Sequence, residues 1–174
     1  MIGLYRALRL VAMVVWVGGL MFFAFVVAPV AFNLAYQHEL ASTHEAGLVV
    51  AGTLAVLHPM GLVCGVVFLF ATALLWFRAP QRLLAVQMWL VVAMMAATAY
   101  VQLRVIPAME RDRAAAGGAI DTAPLADPSR VDFERLHGIS EKVEGAALLL
   151  GLAVVVTIGF EGGRPARPVE AATR

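Results

Sequence analysis

The chain has 174 residues, of which 61% are hydrophobic and only 14% are charged, and its mean hydropathy is +0.84. So few charged residues cannot cover a domain of this size with polar surface, so the composition excludes an ordinary soluble protein. The one cysteine, Cys64, excludes a disulfide framework and a cysteine-based zinc site within one subunit. The net charge of +1 gives no electrostatic basis for binding nucleic acid, and the expected partner is the lipid bilayer.

Four apolar runs predict four transmembrane helices. Residues 10–32, 47–77, 83–103 and 145–160 contain no Asp, Glu, Lys or Arg. The first three can each cross a hydrocarbon core, which takes about 20 residues. The fourth is shorter, so its helix must begin upstream, near residues 133–136, and turn its acidic side chains toward the headgroups or the bundle. We therefore predict an all-α, integral membrane four-helix bundle, with spans at about 8–34, 46–77, 83–107 and 134–160.

The basic residues predict the orientation of the spans, because Lys and Arg are enriched in cytoplasmic loops. With the N-terminus inside, the cytoplasmic side holds Arg6, Arg9, Arg78, Arg82, Arg164, Arg167 and Arg174. The other side then holds six basic residues, but none of them lies in the short first loop, residues 33–46. This pattern favours both termini in the cytoplasm and a location in the inner (plasma) membrane. Residues 1–162 then form the transmembrane domain, with an outer loop at 108–131, and residues 163–174 form a disordered cytoplasmic tail.

His58 lies deep in the second span, where an imidazole is costly unless it is hydrogen-bonded, coordinated or facing water. Helical spacing places small residues on its face, including Gly61 and Gly65, so we expect His58 to point into the bundle. In one interpretation the ring bonds a backbone carbonyl that Pro59 leaves free, because proline has no N–H to donate. In the other, His58 is a cofactor ligand or a group that handles protons.

A candidate polar cluster lies at the start of the fourth span. Its members share one helix face at intervals of three to four residues: His137, Ser140, Glu141 and Glu144. The two basic residues of this segment, at 135 and 142, fall on the opposite side. This segregation is typical of a helix that aims an acidic face at a site. It is also the pattern of a solvated helix end whose acids complement the positive end of the helix dipole.

The first loop offers a possible metal site. It carries His38, Glu39, His44 and Glu45, on the same membrane side as His137 in the predicted orientation. Imidazole and carboxylate groups together can bind copper, zinc or iron. Loop histidines are ordinarily just solvated, so both interpretations stay open.

The third span carries two further sets of side chains. Its methionines, Met88, Met94 and Met95, could ligate Cu(I) through their thioethers or simply fill space in the core. Its polar residues, Gln87, Thr98 and Gln102, together with Asn33 of the first span, are predicted to form hydrogen bonds between helices.

Three segments carry a family resemblance. They are residues 16–25 (WVGGLMFFAF) leading to Pro29 and Phe32, residues 104–107 (RVIP), and residues 133–140 (FERLHGIS). Through them the chain, from about residue 4 to residue 160, resembles the transmembrane protein 205-like family, known in bacteria as domain of unknown function 4149. The resemblance implies a four-helix integral membrane protein, and it supplies no established activity.

The first helix is also similar, more distantly, to those of the copper resistance D family and of the haem-dependent protoporphyrinogen oxidase family. Members of the latter ligate haem through histidines, one of which follows shortly after the aromatic-rich motif of the first helix. The corresponding residues here, 32–35 (FNLA), contain no histidine. In this chain His58 and His137 are left as the residues that would hold a haem or a copper ion.

These features predict a membrane protein that is not an enzyme: a small transporter, a metal-handling accessory or a subunit of a larger complex. Four short helices rarely enclose a pore, so transport would require a homo-oligomer, for which the face of Gly61 and Gly65 is the expected contact. The alternative is a haem- or copper-binding membrane redox protein with His58 and His137 as ligands. A copper or haem cofactor is thus an expectation of the alternative only.

Overall fold

The computed structural model describes residues 2–37 and 42–161. Six α-helices make up most of these residues: α1 (Ile2–Phe22), α2 (Ala28–Tyr36), α3 (Thr43–Arg78), α4 (Arg82–Tyr100), α5 (Ile106–Ala115) and α6 (Pro128–Glu161). Two five-residue π-helical segments join α1 to α2 (Phe23–Val27) and α4 to α5 (Val101–Val105). No strand occurs in the described part of the chain. The tail predicted at 163–174 and residue His38 of the first loop lie outside it.

The helices combine into four rods that are long and apolar enough to cross a membrane: Ile2–Leu34, Thr43–Arg78, Arg82–Ala115 and Pro128–Glu161. Each rod packs against the next one along the chain, and α1 also packs against α6, so the bundle closes on itself. The prediction of an all-α, four-helix membrane bundle is confirmed. The fourth rod begins well upstream of the short apolar run 145–160, and this explains how that run can belong to a full span.

The bundle turns most of its apolar surface outward. Only 17 to 33% of the residues in the most apolar window of each rod are buried inside the subunit. Large side chains on the outside include Phe25, Val63, Phe70, Trp89 and Leu149. A water-soluble bundle would bury such side chains, whereas in a bilayer they contact lipid.

A proline follows each π segment and explains its position. Pro29 and Pro107 stand two residues after the last π-helical residue, and neither can donate a hydrogen bond to the carbonyl four residues earlier. The residue just before each proline donates to the carbonyl five residues earlier, as in a π-helix. The N–H of Ala28 bonds the carbonyl of Phe23, and the N–H of Ile106 bonds that of Val101. Each rod therefore has one extra residue in the turn before the proline, where the proline ring would otherwise clash with the preceding turn of the helix.

The core is built on close contacts at glycine. The indole of Trp16, fully buried, lies directly over Gly61 and Gly65 of α3. A Cβ atom at Gly61 would stand 2.6 Å from Cδ1 of Trp16, and one at Gly65 would stand 2.7 Å from the sulfur of Met95. The expectation that the face of Gly61 and Gly65 joins two subunits is therefore wrong, because Trp16 already occupies it within the subunit.

The ends of the bundle differ in how they are closed. One end, here called the loop end, carries the segment between α5 and α6. Helix α5 stops at Gly117 and Gly118, whose positive φ angles of 83° and 101° suit a residue without a side chain. The segment then turns back over α3, where the carboxylate of Asp121 accepts hydrogen bonds from the hydroxyl of Thr43 (3.1 Å) and the backbone N–H of His44 (3.2 Å). The opposite end, here called the terminal end, holds the start of α1 and the last residue of α6.

Candidate functional site

A cavity of about 540 Å³ enters the bundle from the loop end. Its walls are apolar in the membrane-spanning part, where Leu20, Phe23, Leu54 and Leu148 face it. The first π segment contributes directly to this wall, since Phe23 is its first residue. The volume is within the range of small-molecule binding sites, about 300 to 1,000 Å³. This cavity is the best candidate for a functional site in the described residues.

Glu144 lines the inner part of the cavity and connects it to the buried His58. Nε2 of His58 lies 2.8 Å from Oε1 of Glu144. This contact is an ion pair when the imidazole is protonated, and both oxygens of Glu144 are buried. The His58 side chain is 1% exposed and that of Glu144 is 14% exposed. The Glu144 side chain thus lines the cavity, and its carboxylate turns inward to an imidazole that solvent does not reach.

The other ring nitrogen of His58 is held by the third rod. Nδ1 of His58 lies 2.9 Å from Oε1 of Gln102, and Gln102 belongs to the second π segment. His58 therefore bonds a side chain of another helix and not the carbonyl freed by Pro59. The prediction that His58 points into the bundle is confirmed.

The prediction of hydrogen bonds between helices is confirmed for Gln87 and Gln102. It is wrong for Thr98, whose hydroxyl has no hydrogen-bond partner among the described residues. It is also wrong for Asn33, whose side chain accepts a hydrogen bond from Gln37, four residues later in the chain.

The polar cluster predicted on the fourth span is divided between two environments. His137 pairs with Glu141 on its own helix at 3.3 Å, and their side chains are 44% and 69% exposed. The ring of His137 also stacks on Phe133, with centroids 6.4 Å apart. Ser140 is buried, and Glu144 turns to His58. All four predicted cluster residues line the cavity, but only Glu144 is joined to the buried imidazole.

The two histidines proposed as cofactor ligands have different partners. His58 contacts Gln102 and Glu144, and His137 contacts Glu141. His137 precedes Glu144 by seven residues, a rise of about 10.5 Å along the helix. Within residues 2–37 and 42–161, no group of three or more His, Cys, Asp or Glu side chains is placed to hold a metal ion. Both ring nitrogens of His58 already contact side-chain oxygens, so His58 would have to leave Gln102 or Glu144 to ligate a haem or a copper ion.

The mouth of the cavity is lined by ion pairs. Arg113 donates to Glu110 at 2.6 Å and lies over the ring of Phe133, 5.5 Å from its centroid. Arg130 contacts Glu134 at 3.0 Å and donates to the carbonyl of Ala123 at 2.6 Å. These bonds fasten the loop segment to the start of α6. His44 from the predicted first-loop metal set also lines the mouth, whereas His38 and Glu39 are outside the described residues.

A second buried polar cluster lies at the terminal end, and the sequence patterns did not predict it. The guanidinium of Arg9, 1% exposed, donates to both carboxylate oxygens of Glu161, at 3.1 and 2.8 Å. It also donates to the side-chain oxygen of Gln87, whose amide in turn donates to Glu161 at 2.6 Å. The ring of Phe68 lies against the guanidinium, 5.0 Å away. One cluster thus ties together α1, α3, α4 and α6.

The signal for this cluster was present in the sequence. Arg9 and Glu161 stand immediately outside the two apolar runs 10–32 and 145–160, and antiparallel packing of an even number of rods brings those positions to the same end. Counting Arg9 among the cytoplasmic surface charges was wrong, because it is buried. The orientation argument then depends on the first loop, which has no basic residue, and on Arg78 and Arg82 in the opposite turn.

Comparison with known proteins gives a family and no further match. A family model described as a domain of unknown function, DUF4149, matches residues 11–117. The matched part contains both π segments and His58, and it ends before α6, which supplies Glu144 and Glu161. No curated protein and no solved structure matches the chain.

Proposed function

Since the chain belongs to the DUF4149 family, whose description states no activity, we propose its function from the geometry of the site. The protein is a small membrane carrier that binds its substrate in the cavity at the loop end. Glu144 is the group that faces the substrate, and His58 is the buried partner that fixes the carboxylate. The single observation that carries this proposal is a cavity that runs from the loop end to a charged pair inside an apolar bundle.

The terminal end supports the same proposal. A carrier exposes its binding site to one side of the membrane at a time, so the site must be closed on the other side. In this structure the Arg9, Gln87 and Glu161 cluster fills the terminal end, while the cavity reaches the loop end. Such an arrangement corresponds to a carrier open toward the loop end. In the predicted orientation that end faces away from the cytoplasm, across the inner membrane.

Thiol labelling tests the carrier. Gly47 and Gly145 line the cavity, and a side chain at either position meets nothing within 4 Å. We expect Gly145→Cys, in a Cys64→Ser background, to react with a membrane-impermeant thiosulfonate applied from the loop side and, after the protein reorients, from the terminal side. Gly52→Cys is the control, because a side chain there has the same free space but the position is exposed away from the cavity.

The labelling pattern separates the carrier from its alternatives. Reaction from both sides supports a carrier, and reaction from the loop side alone contradicts it and favours a binding accessory or a subunit of a larger complex. No reaction at Gly145→Cys from either side means that the cavity does not open to water. Glu144→Gln is expected to impair function in a growth or transport assay more than Lys142→Gln, since Lys142 is exposed on the other side of α6.

The redox alternative, with His58 and His137 as ligands of haem or copper, has an independent test. An optical spectrum of the detergent-purified protein, oxidised and then reduced with dithionite, is measured together with metal analysis of the same sample. A stoichiometric Soret band or copper signal would favour the redox protein over the carrier. The relation to the transmembrane protein 205-like family, and the more distant ones, remain predictions that add no activity.

A further inference from the structure

We propose that the cavity binds an organic cation with an apolar body, attracted by the carboxylates of the cavity wall, Glu144 among them. This inference rests on the proposed carrier function and names the chemical class of its substrate. Its support comes from the charges on the cavity wall and from the apolar surface between them.

The charge on the cavity wall is predominantly negative. Five carboxylates line it: Glu110, Asp121, Glu134, Glu141 and Glu144. Among the described residues, the fixed positive charges on this wall are two, Arg113 and Arg130, and each already contacts one carboxylate, Glu110 or Glu134. Three carboxylates remain with no guanidinium or ammonium partner in the described part of the chain. A cleft lined by one sign of charge within an apolar surround concentrates the opposite ion.

Two of these carboxylates have oxygens that are buried behind the cavity wall. Oδ2 of Asp121 caps α3 and its Oδ1 is buried, and both oxygens of Glu144 are buried next to His58. His58 lies beside Glu144 but carries a full charge only when it is protonated. These two carboxylates therefore act on a ligand in the cavity through their electrostatic field, which a low-dielectric apolar surround strengthens.

The rest of the wall fits an apolar body. Between Glu144 and the mouth, the surface is supplied by aliphatic and aromatic side chains, among them Leu20, Phe23, Leu54 and Phe133. The ring of Phe133 is in contact with the guanidinium of Arg113 on one face, so the aromatic surface for a ligand is supplied mainly by Phe23 and Phe32. A small hydrated metal ion would gain nothing from these walls, whereas a quaternary ammonium or phosphonium with hydrocarbon substituents would contact both kinds of surface.

Two ions of matched size test the proposal directly. Tetraphenylphosphonium and tetraphenylborate have nearly the same shape and opposite charge. Their binding to the purified protein is measured by equilibrium dialysis against protein-free micelles of the same detergent, which corrects for partition into the micelle. We expect one tetraphenylphosphonium per chain, bound at least about tenfold more tightly than tetraphenylborate, a difference of about 1.4 kcal/mol.

Variants locate the site. Glu144→Gln keeps the shape of the side chain and removes its charge, and we expect it to weaken tetraphenylphosphonium binding about tenfold without weakening tetraphenylborate binding. Lys142→Gln, two residues away and exposed, should leave both affinities unchanged. Equal affinity of the wild-type protein for the two ions overturns the proposal, as does an unchanged affinity for the cation in Glu144→Gln. If that variant does not accumulate, the comparison of the two ions on the wild-type protein decides alone.

The outcome is separable from that of the carrier proposal. If Gly145→Cys is labelled from both sides but the cation does not bind in preference to the anion, the carrier stands and its substrate is not a cation of this class. If Gly145→Cys is not labelled at all and neither ion binds, the cavity is not a binding site and both proposals fail.

Discussion

At the scale of single residues, His58 shows how an apolar bundle accommodates an imidazole. Both ring nitrogens lie within 3 Å of a side-chain oxygen, one from Gln102 and one from Glu144. Both of these oxygens are acceptors, so an imidazole protonated on both nitrogens can donate to both, whereas a neutral imidazole donates to only one of them. The cost of burying the ring is therefore offset by partners on two other rods. His58 in turn holds Glu144 in the position from which it faces the cavity.

Gly61 gives a prediction at the same scale. Alanine at this position would drive its Cβ into the indole of Trp16, which is fully buried and cannot move aside. We expect Gly61→Ala to lower the free energy of unfolding by about 1–3 kcal/mol, as overpacking does in other cores. Gly52→Ala on the same helix meets nothing within 4 Å and should change stability by less than about 1 kcal/mol. Unfolding of the two variants in mixed micelles, followed by circular dichroism, checks both values, and equal stability would contradict the packing of Trp16 on Gly61.

At the scale of helices, the two π segments change the direction of functional side chains. A prediction from regular α-helical periodicity therefore assigns these side chains to the wrong face. Each π turn adds one residue and rotates the rest of its rod by about 100° relative to an uninterrupted helix. Gln102 reaches His58 from such a segment, and Phe23 reaches the cavity from the other. Pro29 and Pro107 are visible in the sequence, but proline permits either a kink or a widened turn. The sequence therefore indicated that each of these rods is irregular at its proline, but not whether the helix kinks or widens there.

The Arg9 cluster supplies a prediction for the packing of rods. Glu161→Gln leaves the guanidinium of Arg9 buried without a counter-charge, and removing one partner of a buried ion pair costs about 3–5 kcal/mol. The matched control is Glu134→Gln, because the Arg130–Glu134 contact is exposed, with 61% of the Glu134 side chain accessible. Such surface pairs contribute about 0–1 kcal/mol. Thermal unfolding of both variants in detergent measures the difference.

A double variant identifies the cause of that loss. If the buried charge is responsible, Arg9→Met combined with Glu161→Gln should recover much of the stability, since apolar replacements of buried ion pairs are commonly tolerated. Should the double variant be no more stable than Glu161→Gln alone, the cluster would owe its effect to packing against Phe68 and not to charge. Stability of Glu161→Gln equal to that of Glu134→Gln would mean that the pair is open to water.

At the scale of the whole molecule, the orientation in the membrane is a testable prediction. We expect both termini in the cytoplasm, so a cysteine at Ala119 in the loop between α5 and α6, in a Cys64→Ser background, should react with an impermeant maleimide in intact cells. A fluorescent protein fused to the C-terminus should fold and fluoresce, because folding of such a fusion requires the cytoplasm. Labelling of Ala119→Cys only after the cells are opened would contradict the predicted orientation and indicate the opposite one.

The sequence predicted the bundle better than it predicted the site. The length of an apolar run between charges predicts a membrane span whatever the run packs against, so the four spans could be predicted. The inward position of His58 could be predicted from the small residues on its helix face. Periodicity also grouped His137, Glu141 and Glu144 on one face. It could not show that Glu144 alone contacts another rod, nor that Arg9, Gln87 and Glu161 meet. Periodicity shows which residues share a helix face, but not which helix that face contacts. Gly61 and Gly65 were misassigned for the same reason: a small-residue stripe fits Trp16 of the same chain as well as a second subunit.

The reach of the Arg9 contacts along the chain affects how the protein is made. Arg9 enters the bilayer with the first helix, but its partners come 78 and 152 residues later. Until they are synthesised, the guanidinium must extend to the lipid headgroups, and the first helix is held less deeply and less firmly. Glu161 lies at the end of the last helix, so it can pair with Arg9 only when the whole domain has been inserted. A chain that lacks the final turn of α6 would therefore keep the guanidinium of Arg9 without its counter-charge.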